Sequence, residues 1–561
     1  MQYEFSHNLR VNRTLNEVIN MISMMAEDQL KHIQQLTKIG ESLSSEKDLD
    51  KIFDMILEEG IAFTKSDGAT IYKVNEDATA LEFEIIFNAT LNMRQGGSHG
   101  KVDWPPIPLY EEDGKPKLSH IVSAVYHTKH SLFFDDVYQA KGYDISGTIN
   151  FDKSTNYRCK AMLTIPLKDH EDTVLGVIQF INPLDEDGQV TSFNPEHKAM
   201  LSSLASQAAI ALSNRRLISN LEELLLEFMR SIAGAIERKS KYSSAHITRV
   251  ARLTEMMTER INQESEGVFA DVQFSEDELK EISMAGWMHD VGKIITPEFV
   301  MDKSTKLERT IDGIEIIMQR ITTVKTFLLY IKQKLGKDGF NEFCQKHFPS
   351  PMQEQPFVYL DQSASFIQAL NIGTECVSDE DIARIHEIAS INVHYNDMDY
   401  YIIDDSDVQN LSIRKGTLNP EEIKTMRDHA SITWEMLSQL SFPKKYKNVP
   451  YYAATHHEAL DGKGYPRGLN EHDLPLQSRI IAIADIFEAL TSSDRPYKSP
   501  QSLSESLHIM ANMVKSGHLD GNLVDFFMDS GLYLTYAHQF MKPAQIDHPD
   551  IMEIKSIYHY D

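Results

Sequence analysis

The spacing of apolar residues divides the chain into a mixed first half and a helical second half. Between residues 15 and 59, apolar side chains recur every three or four positions, which predicts two or three helices. Short runs rich in β-branched and aromatic residues predict strands of one sheet at 69–74, 80–87, 161–167 and 174–182. A helical pattern then runs from Glu196 to Lys239 without a proline, and almost every later periodic segment is also helical. The predicted fold is an α+β domain followed by an all-α domain, joined by a long helix.

Composition and charge limit the classes of protein to consider. A chain of 561 residues is too long for one core, and two to four domains are expected. A net charge of −28 argues against DNA or RNA as a partner. No apolar signal core opens the sequence, and no segment has the roughly 18 uninterrupted apolar residues of a membrane helix. The three cysteines are widely spaced, which indicates a reducing compartment and predicts a cytoplasmic protein.

Histidines stand beside acidic residues at high density in the second half of the chain. They fall in five segments: SSAHITRVARL, MHDVGKI, TMRDHASITWEML, ATHHEALDGKGYPRGL and IIAIADIFEALTSSDRPYK. Imidazole and carboxylate ligands together suit Fe(II), Mn(II) or Zn(II). An adjacent His-Asp pair on a helix projects its side chains about 100° apart, so both reach one metal site only where the helix packs directly beside it. These segments predict a metal centre without thiolate ligands.

Residues from about 30 to 215 resemble a GAF domain. The resemblance rests on the order of helices and strands, on MLTIPL followed by VLGVIQFINP, and on the closing SFNPEHKAMLSSLASQAAIALSNRRL. It implies either a small-molecule or cyclic-nucleotide ligand, or a purely structural or dimerising role. Members that bind cyclic nucleotides carry an Asn-Lys pair and a downstream Phe with an acidic pair. Here Asn182 is followed by Pro183, and Phe193 by His197 and Lys198, which departs from that pattern.

Over about residues 225–535, the motifs HD, HHE, DGKGYP and ADIFEALTSSDRPYK resemble the HD-GYP phosphodiesterases, a branch of the HD hydrolase superfamily. The resemblance implies a helical, metal-dependent domain that opens cyclic di-GMP to linear pGpG or on to GMP. It implies two divalent ions, iron or manganese before zinc, which would acidify a shared water. None of the implied metal-ligand positions is missing, and they are His246, His289, Asp290, His429, His456, His457 and Asp485.

The same resemblance implies the residues that hold the substrate. Lys293 matches the lysine beside the scissile phosphate, and with Asp290 it is the predicted catalytic pair. The residues that match those holding the dinucleotide are Gly464, Tyr465 and Pro466 of the GYP motif, and Arg495 and Lys498 of RPYK. Because each phosphodiester is anionic, the basic residues must supply local positive potential in an acidic protein. Glu458, Asp461 and Glu488 are expected to orient metal ligands rather than bind metal.

Two departures from the HD-GYP pattern change details of this prediction. Some members place a glutamate four residues before the first metal histidine, where it helps to hold a third ion, but here that residue is Tyr242. A two-metal site is therefore favoured. In addition, 139 positions separate Asp290 from His429, so an insertion is predicted at about 309–412. This insertion is interpreted as a lid, a dimer contact or a solvated elaboration.

The predicted organisation is an N-terminal helical segment (1–30), a GAF sensor (31–215), a linker helix (216–240), an HD-GYP domain (225–535) and a C-terminal tail (536–561). An apolar stripe along the long helix predicts a parallel coiled coil between two chains, although a helix packed on its own GAF domain would show a similar stripe. The stripe comprises Ala208, Leu212, Leu217, Leu221, Leu225 and Met229.

The leading functional hypothesis is a cyclic di-GMP phosphodiesterase regulated by a GAF sensor, acting as a homodimer. One alternative is a cyclic-dinucleotide receptor that does not hydrolyse its ligand and signals through protein contacts. Another is an HD hydrolase for a different substrate, either another cyclic dinucleotide such as cyclic GMP-AMP or a mononucleotide. The GYP loop and RPYK argue against the mononucleotide, because generic HD enzymes need neither motif.

Overall fold

The structure is a computed structural model that describes residues 9–46, 48–240, 245–373, 376–493 and 500–559. The chain divides into two compact units between Leu224 and Leu225. Unit 1 mixes helices with a sheet, and unit 2 is mainly helical, so the predicted order of domain classes is confirmed. The long predicted helix is also present, and it runs without interruption from Pro195 to Lys239.

Unit 1 is built around one antiparallel sheet of seven strands. The strands are β1 Ser66–Val74, β2 Ala80–Asn88, β3 Met93–Gly96, β4 Ile107–Pro108, β5 Leu132–Phe134, β6 Met162–Lys168 and β7 Val174–Pro183. Their order in the sheet is β3-β2-β1-β7-β6-β5, and β4 pairs with β2. The four predicted strands correspond to β1, β2, β6 and β7. The helices are α1 Leu9–Ser45, α2 Leu49–Thr64, α3 Ile121–Thr128, α4 Ser146–Thr155 and α5 Pro195–Lys239.

Helices cover both faces of this sheet. On one face, α2 and α5 bury Ile71, Phe180 and Leu201 in the main core of the unit. Gly60 on α2 allows this close packing, because a Cβ there would lie 2.2 Å from the ring of Phe180. On the other face, Val125 of α3 packs against buried residues of β1, β2 and β7. The N-terminus of α2 is capped by Asp48, whose side chain accepts from the backbone N–H of Asp50.

Unit 2 contains the histidine-rich segments. Its helices are α6 His246–Asn262, α7 Glu276–Met288, α8 Glu298–Met301, α9 Ile314–His347, α10 Ser350–Glu354, α11 Pro356–Asn371, α12 Asp379–Ala389, α13 Asp405–Leu411, α14 Pro420–Ser438, α15 Val449–Ala454, α16 Leu476–Thr491, α17 Leu503–Lys515, α18 Gly521–Asp529, α19 Leu532–Phe540 and α20 Ile551–Lys555. Helices α6 and α16 to α19 share one core, while α7, α14 and α15 share a second core with the end of α5.

The predicted insertion forms a cluster with its own hydrophobic core, from Leu307 to Leu411. It departs from the all-helical expectation, because it contains an antiparallel hairpin of β8 Asn392–Tyr395 and β9 Met398–Tyr401. The turn residues Asn396 and Asp397 adopt positive φ angles of 50° and 60°, which Asn and Asp tolerate better than most residues. In the described residues, no helix of either unit combines the length and apolar character that a membrane span requires.

Candidate metal centre

The seven predicted metal ligands come together in unit 2 from five parts of the chain. His246 opens α6, His289 and Asp290 follow α7, and His429 lies on α14. His456 and His457 lie in the turn after α15, and Asp485 lies on α16. Ligand atoms of His246, His289 and Asp290 lie within 4.8 Å of one another, and so do those of His429, His456 and His457. The side chains therefore form two groups.

The carboxylate of Asp290 lies between the two groups. Its Oδ2 is 3.2 Å from Nε2 of His246 and 3.4 Å from Nε2 of His289. Its Oδ1 is 3.4 Å from Nε2 of His429 and 4.0 Å from Nε2 of His456. Each oxygen thus faces a different pair of imidazoles.

Asp485 also lies between histidines of the two groups. Its Oδ1 is 3.4 Å from Nε2 of His246, and its Oδ2 is 3.8 Å from Nδ1 of His457. Two carboxylates therefore lie between the two groups, and all the donor atoms of the site are nitrogen or oxygen.

Backbone carbonyls fix the orientation of three histidine rings. The Nδ1 atoms of His289, His429 and His456 donate to the carbonyl oxygens three residues earlier, at 2.7, 2.5 and 2.7 Å. Because a carbonyl only accepts, the proton must be on Nδ1, and the Nε2 lone pair is free to bind a metal. Nδ1 of His246 instead contacts the carboxylate of Glu488, which also pairs with Arg249.

Several of these donor atoms are buried without a hydrogen-bond partner. They are Nε2 of His289, His429 and His456, and Oδ1 of Asp290. A buried polar atom without a partner costs about 1–3 kcal/mol, so four in one place are unfavourable unless another group satisfies them. A divalent cation is such a group, and the donor set suits Mn, Fe or Zn. The residues present therefore fit a divalent metal.

The charge states of four of the ligands agree with metal binding. Burial lowers the pKa of His429, and burial with the neighbouring His457 holds the pKa of His456 well below its ordinary value. Burial lowers the pKa of His457 to about 3. Burial acts to raise the pKa of Asp290, but Lys293 and the histidines outweigh it and hold that pKa well below its usual range. These groups thus present neutral imidazoles and an ionised carboxylate at neutral pH.

Lys293 and Tyr465 lie directly beside the metal ligands. The Lys293 ammonium is 2.5 Å from Oδ2 of Asp290. The ring of Tyr465 lies 4.7 Å from the ring of His457, and its backbone N–H donates to the carbonyl of His457. The guanidinium of Arg427 lies 5.2 Å from the Tyr465 ring centre.

Close backbone packing shapes the GYP loop. A Cβ at Gly464 would lie 2.3 Å from the backbone nitrogen of Ala459, so the loop requires glycine there, and Pro466 follows in the same loop. The carboxylate of Glu458 accepts from the backbone N–H groups of Arg467 and Leu469 and so holds the loop rather than a histidine.

The remaining residues named in the prediction differ in whether the structure describes them and in what they contact. Glu488 contacts a metal-site histidine, as expected of an orienting residue, whereas Asp461 pairs with Lys463. Arg495 and Lys498 lie in the segment 494–499, outside the described residues, and so does Tyr242 in the segment 241–244.

Sequence reasoning missed the contact that joins α14 to the HD turn. A Cβ at Gly292 would lie 2.0 Å from the carbonyl oxygen of His429. The hydroxyl of Thr433 accepts from the Gly292 N–H and donates to the carbonyl of His289. Only the glycine within HDVGK signals this contact in the sequence. It sets the spacing between the two groups of ligands.

Two family models match the chain, the GAF domain over residues 48–212 and the HD domain over residues 406–523. Residues 48–212 therefore form a GAF domain, and residues 406–523 belong to an HD domain. The HD match includes His429, His456, His457 and Asp485. The ligands that precede the insertion lie outside the matched range.

Known relatives match the HD part of the chain at moderate identity. A protein of Thermotoga maritima named cyclic di-GMP phosphodiesterase is 35% identical over 137 residues, which is 24% of this chain and 36% of the relative. A protein of Vibrio cholerae named 3'3'-cGAMP-specific phosphodiesterase 1 is 43% identical over 112 residues, which is 20% of this chain and 25% of the relative. The chain thus spans about a third or less of the length of these relatives.

Among solved structures, the GAF domain of an Acinetobacter phosphoenolpyruvate-protein phosphotransferase matches with a TM-score of 0.25 and 14% identity. The match covers 34% of this chain and 98% of that chain.

Proposed function

We propose that the chain is a metal-dependent cyclic di-GMP phosphodiesterase under the control of its GAF domain. The observation that carries the proposal is the set of four buried donor atoms without partners, arranged in two groups around Asp290. The names of the HD relatives, which act on cyclic di-GMP or 3'3'-cGAMP, indicate the substrate class.

We propose that two ions bind here, iron or manganese before zinc. His246, His289 and Asp290 would hold one ion, and His429, His456 and His457 the other, with Asp290 and Asp485 shared between them. When bound, such ions acidify water and stabilise charge that develops on phosphorus. The protein's own part is to fix the imidazoles of His289, His429 and His456 through their Nδ1 hydrogen bonds. Burial also favours the neutral form of His429 and His456.

Basic and aromatic side chains beside the centre supply the contacts that a dinucleotide needs. Lys293 is 20% exposed and lies against Asp290, so its ammonium can neutralise a phosphate oxygen next to the ions. Tyr465 offers a ring face for stacking on a base, and Arg427 lies over that ring. Arg495 and Lys498, outside the described residues, are proposed to hold the second phosphate, with Gly464 and Pro466 shaping the loop that presents Tyr465.

The alternatives differ in whether hydrolysis occurs and on which nucleotide. A receptor that only binds the dinucleotide would need neither buried unpaired donors nor a bridging carboxylate. An HD hydrolase for cyclic GMP-AMP would have the same centre, and the Vibrio relative makes that substrate the second candidate.

The test is to incubate the full chain, reconstituted anaerobically with Mn(II) or Fe(II), with cyclic di-GMP and 3'3'-cyclic GMP-AMP and to separate the products. We expect faster turnover of cyclic di-GMP and two ions per chain by elemental analysis. The double variant His289→Ala, Asp290→Ala should lose both metal and turnover. His472→Ala, which removes an exposed histidine of the same unit, should change neither. Binding without turnover at full metal occupancy would support the receptor instead.

We propose a homodimer through an exposed face of α5. Ile210, Leu217, Leu221 and Leu224 are 50–64% exposed and recur every three, four or seven residues, so they share one side of the helix. Ala208, Leu212 and Met229 of the predicted stripe are instead buried within their own units. Analytical ultracentrifugation should show a dimer that Leu221→Glu with Leu224→Glu converts to a monomer.

We propose that α5 carries the regulatory signal, since it continues from unit 1 into unit 2 and ends seven residues before His246. Inserting two residues between Asn220 and Leu221 would rotate everything downstream by about 200°, whereas seven residues would nearly restore the original face. Hydrolysis should fall or become constitutive with two residues and largely recover with seven. Unchanged activity and response in both variants would make the helix a simple tether.

A further inference from the structure

A cavity of about 340 Å³ lies in unit 1, apart from the proposed metal centre. It is formed on the face of the sheet that α3 and α4 cover, and its volume suits a small organic molecule. Six aromatic side chains contribute to its walls: Tyr72, Phe83, Phe87, Trp104, Phe151 and Tyr157. The Trp104 ring packs edge-on against Phe83 and at a tilt against Phe151, with ring centres 5.3 and 5.7 Å apart.

Two buried polar side chains in the cavity wall have atoms without hydrogen-bond partners. Asp152 is 3% exposed, and its Oδ2 accepts from the Tyr138 hydroxyl and the Cys159 N–H, at 3.0 and 2.9 Å. Its Oδ1 is buried and has no partner. Asn88 is equally buried, and its Oδ1 accepts from the Leu91 N–H while its Nδ2 has no partner. Both residues line the cavity, so a ligand there would lie beside one anionic side chain and one amide that each have an unused hydrogen-bonding atom.

The charge of the cavity wall restricts the ligand further. The residues that line the cavity include the carboxylates of Asp152 and Asp144 and the imidazole of His120, but neither lysine nor arginine. Burial raises the pKa of the Cys159 thiol, so this side chain stays neutral and offers no nucleophilic thiolate. A buried phosphate would meet the Asp152 carboxylate with no lysine or arginine in the cavity wall to offset it, which is unfavourable.

We propose that this cavity binds a small organic cation with an aromatic body, and that it rejects cyclic nucleotides. The cationic N–H group of the ligand donates to Oδ1 of Asp152, and the ring faces around it stabilise the same charge. A hydroxyl or carbonyl oxygen on the ligand accepts from Nδ2 of Asn88. The ligand is thus identified by its charge, and the inference is independent of the proposed phosphodiesterase activity.

A matched series of three probes tests the sign of the ligand charge. Tyramine, tyrosol and 4-hydroxyphenylacetate share a phenol ring and differ in carrying an ammonium, a neutral hydroxyl or a carboxylate. Isothermal titration calorimetry on the full chain should give tyramine the tightest binding, at least about tenfold tighter than 4-hydroxyphenylacetate. This factor corresponds to one charge-assisted hydrogen bond. Cyclic GMP and cyclic AMP are included as anionic probes and should not compete with tyramine.

Variants locate the binding in the cavity. Asp152→Asn removes the negative charge but keeps an oxygen that can accept from Tyr138 and Cys159. It should weaken the binding of tyramine at least about tenfold and leave the binding of tyrosol unchanged. Asp103→Asn removes an exposed carboxylate outside the cavity wall and should have no effect. Trp104→Leu, which removes one aromatic wall, should weaken tyramine and tyrosol alike. Equal or tighter binding of the anionic probes, or no tyramine binding at 10 mM, would overturn the proposal, and the wild-type series decides this even if a variant fails to fold.

Discussion

Replacing Gly292 by alanine tests whether the contact between the HD turn and α14 sets the geometry of the metal centre. The added Cβ would lie 2.0 Å from the carbonyl oxygen of His429 and 2.8 Å from the backbone nitrogen of Thr433. Both obstructing atoms belong to the backbone of α14, so no change of rotamer relieves the clash. Because real Cβ atoms essentially never approach closer than 3.0 Å, the turn and the helix must separate by about 1 Å.

This displacement acts on the ligands directly. His429 is the residue that is pushed, and its Nε2 lies 3.4 Å from Oδ1 of Asp290, two residues from the substituted glycine. A misplacement of about 1 Å at a reacting centre costs on the order of 100-fold in rate. Overpacking a well-filled site costs about 1–3 kcal/mol of stability, which should leave the chain folded. We therefore expect a folded protein that has lost most of its activity and the metal of the His429 group.

The assay combines elemental analysis after anaerobic reconstitution, circular dichroism and the hydrolysis of cyclic di-GMP. Gly234→Ala on α5 is the matched control, because its Cβ would have no neighbour within 4 Å. A Gly292→Ala protein that keeps two ions and at least half of its activity would refute the claim that this contact positions the ligands.

Three further substitutions address single interactions in unit 2. Glu488→Gln removes the carboxylate that contacts His246, and it should lower the affinity for metal about 10- to 100-fold in a chelator competition. An unchanged metal affinity would show that this contact does not orient His246. Arg427→Leu should raise KM for the dinucleotide about tenfold with little change in kcat, and a pure kcat effect would place Arg427 nearer the reacting phosphate. Lys303→Met leaves the carboxylate of Glu422 without its buried partner and should destabilise unit 2 by about 3 kcal/mol in urea unfolding. Adding Glu422→Leu should restore much of that stability, and no recovery would show that the ion pair is not the cause.

Residue chemistry made it possible to predict which side chains gather at the candidate metal centre. Only His, Asp, Glu and Cys supply strong ligands, so a dense set of histidines beside acids points to a metal wherever the fold places them. Four of the seven strands of the sheet in unit 1 were equally predictable, because their β-rich runs differ in period from the helices around them. The hairpin at 392–401 escaped prediction because each strand has only four residues, too few for a periodic pattern.

The apolar stripe on α5 shows a different limit of sequence reasoning. Leu217 and Leu221 are exposed, while Leu212 is buried in unit 1 and Met229 in unit 2. Apolar residues at helical spacing indicate that one face of a helix is covered. Along α5, however, that cover comes first from unit 1 and then from unit 2. Spacing alone therefore assigned residues with different partners to one surface.

The insertion divides the ligands between two distant parts of the chain without preventing them from meeting, and its two ends explain how. Making a connection four times longer adds only about 1.2 kcal/mol to the free energy of closing the loop, because each doubling costs about 0.6 kcal/mol. Entry and exit are also tied together, because the buried Lys306 ammonium donates to the carbonyl of Ile413 and the Lys303 carbonyl accepts from the Thr417 hydroxyl. Lys303 then pairs with Glu422 in the first turn of α14, the helix that carries His429. Since both ends of the insertion are fixed beside this helix, its interior can fold around a separate core while His429 keeps its position opposite Asp290.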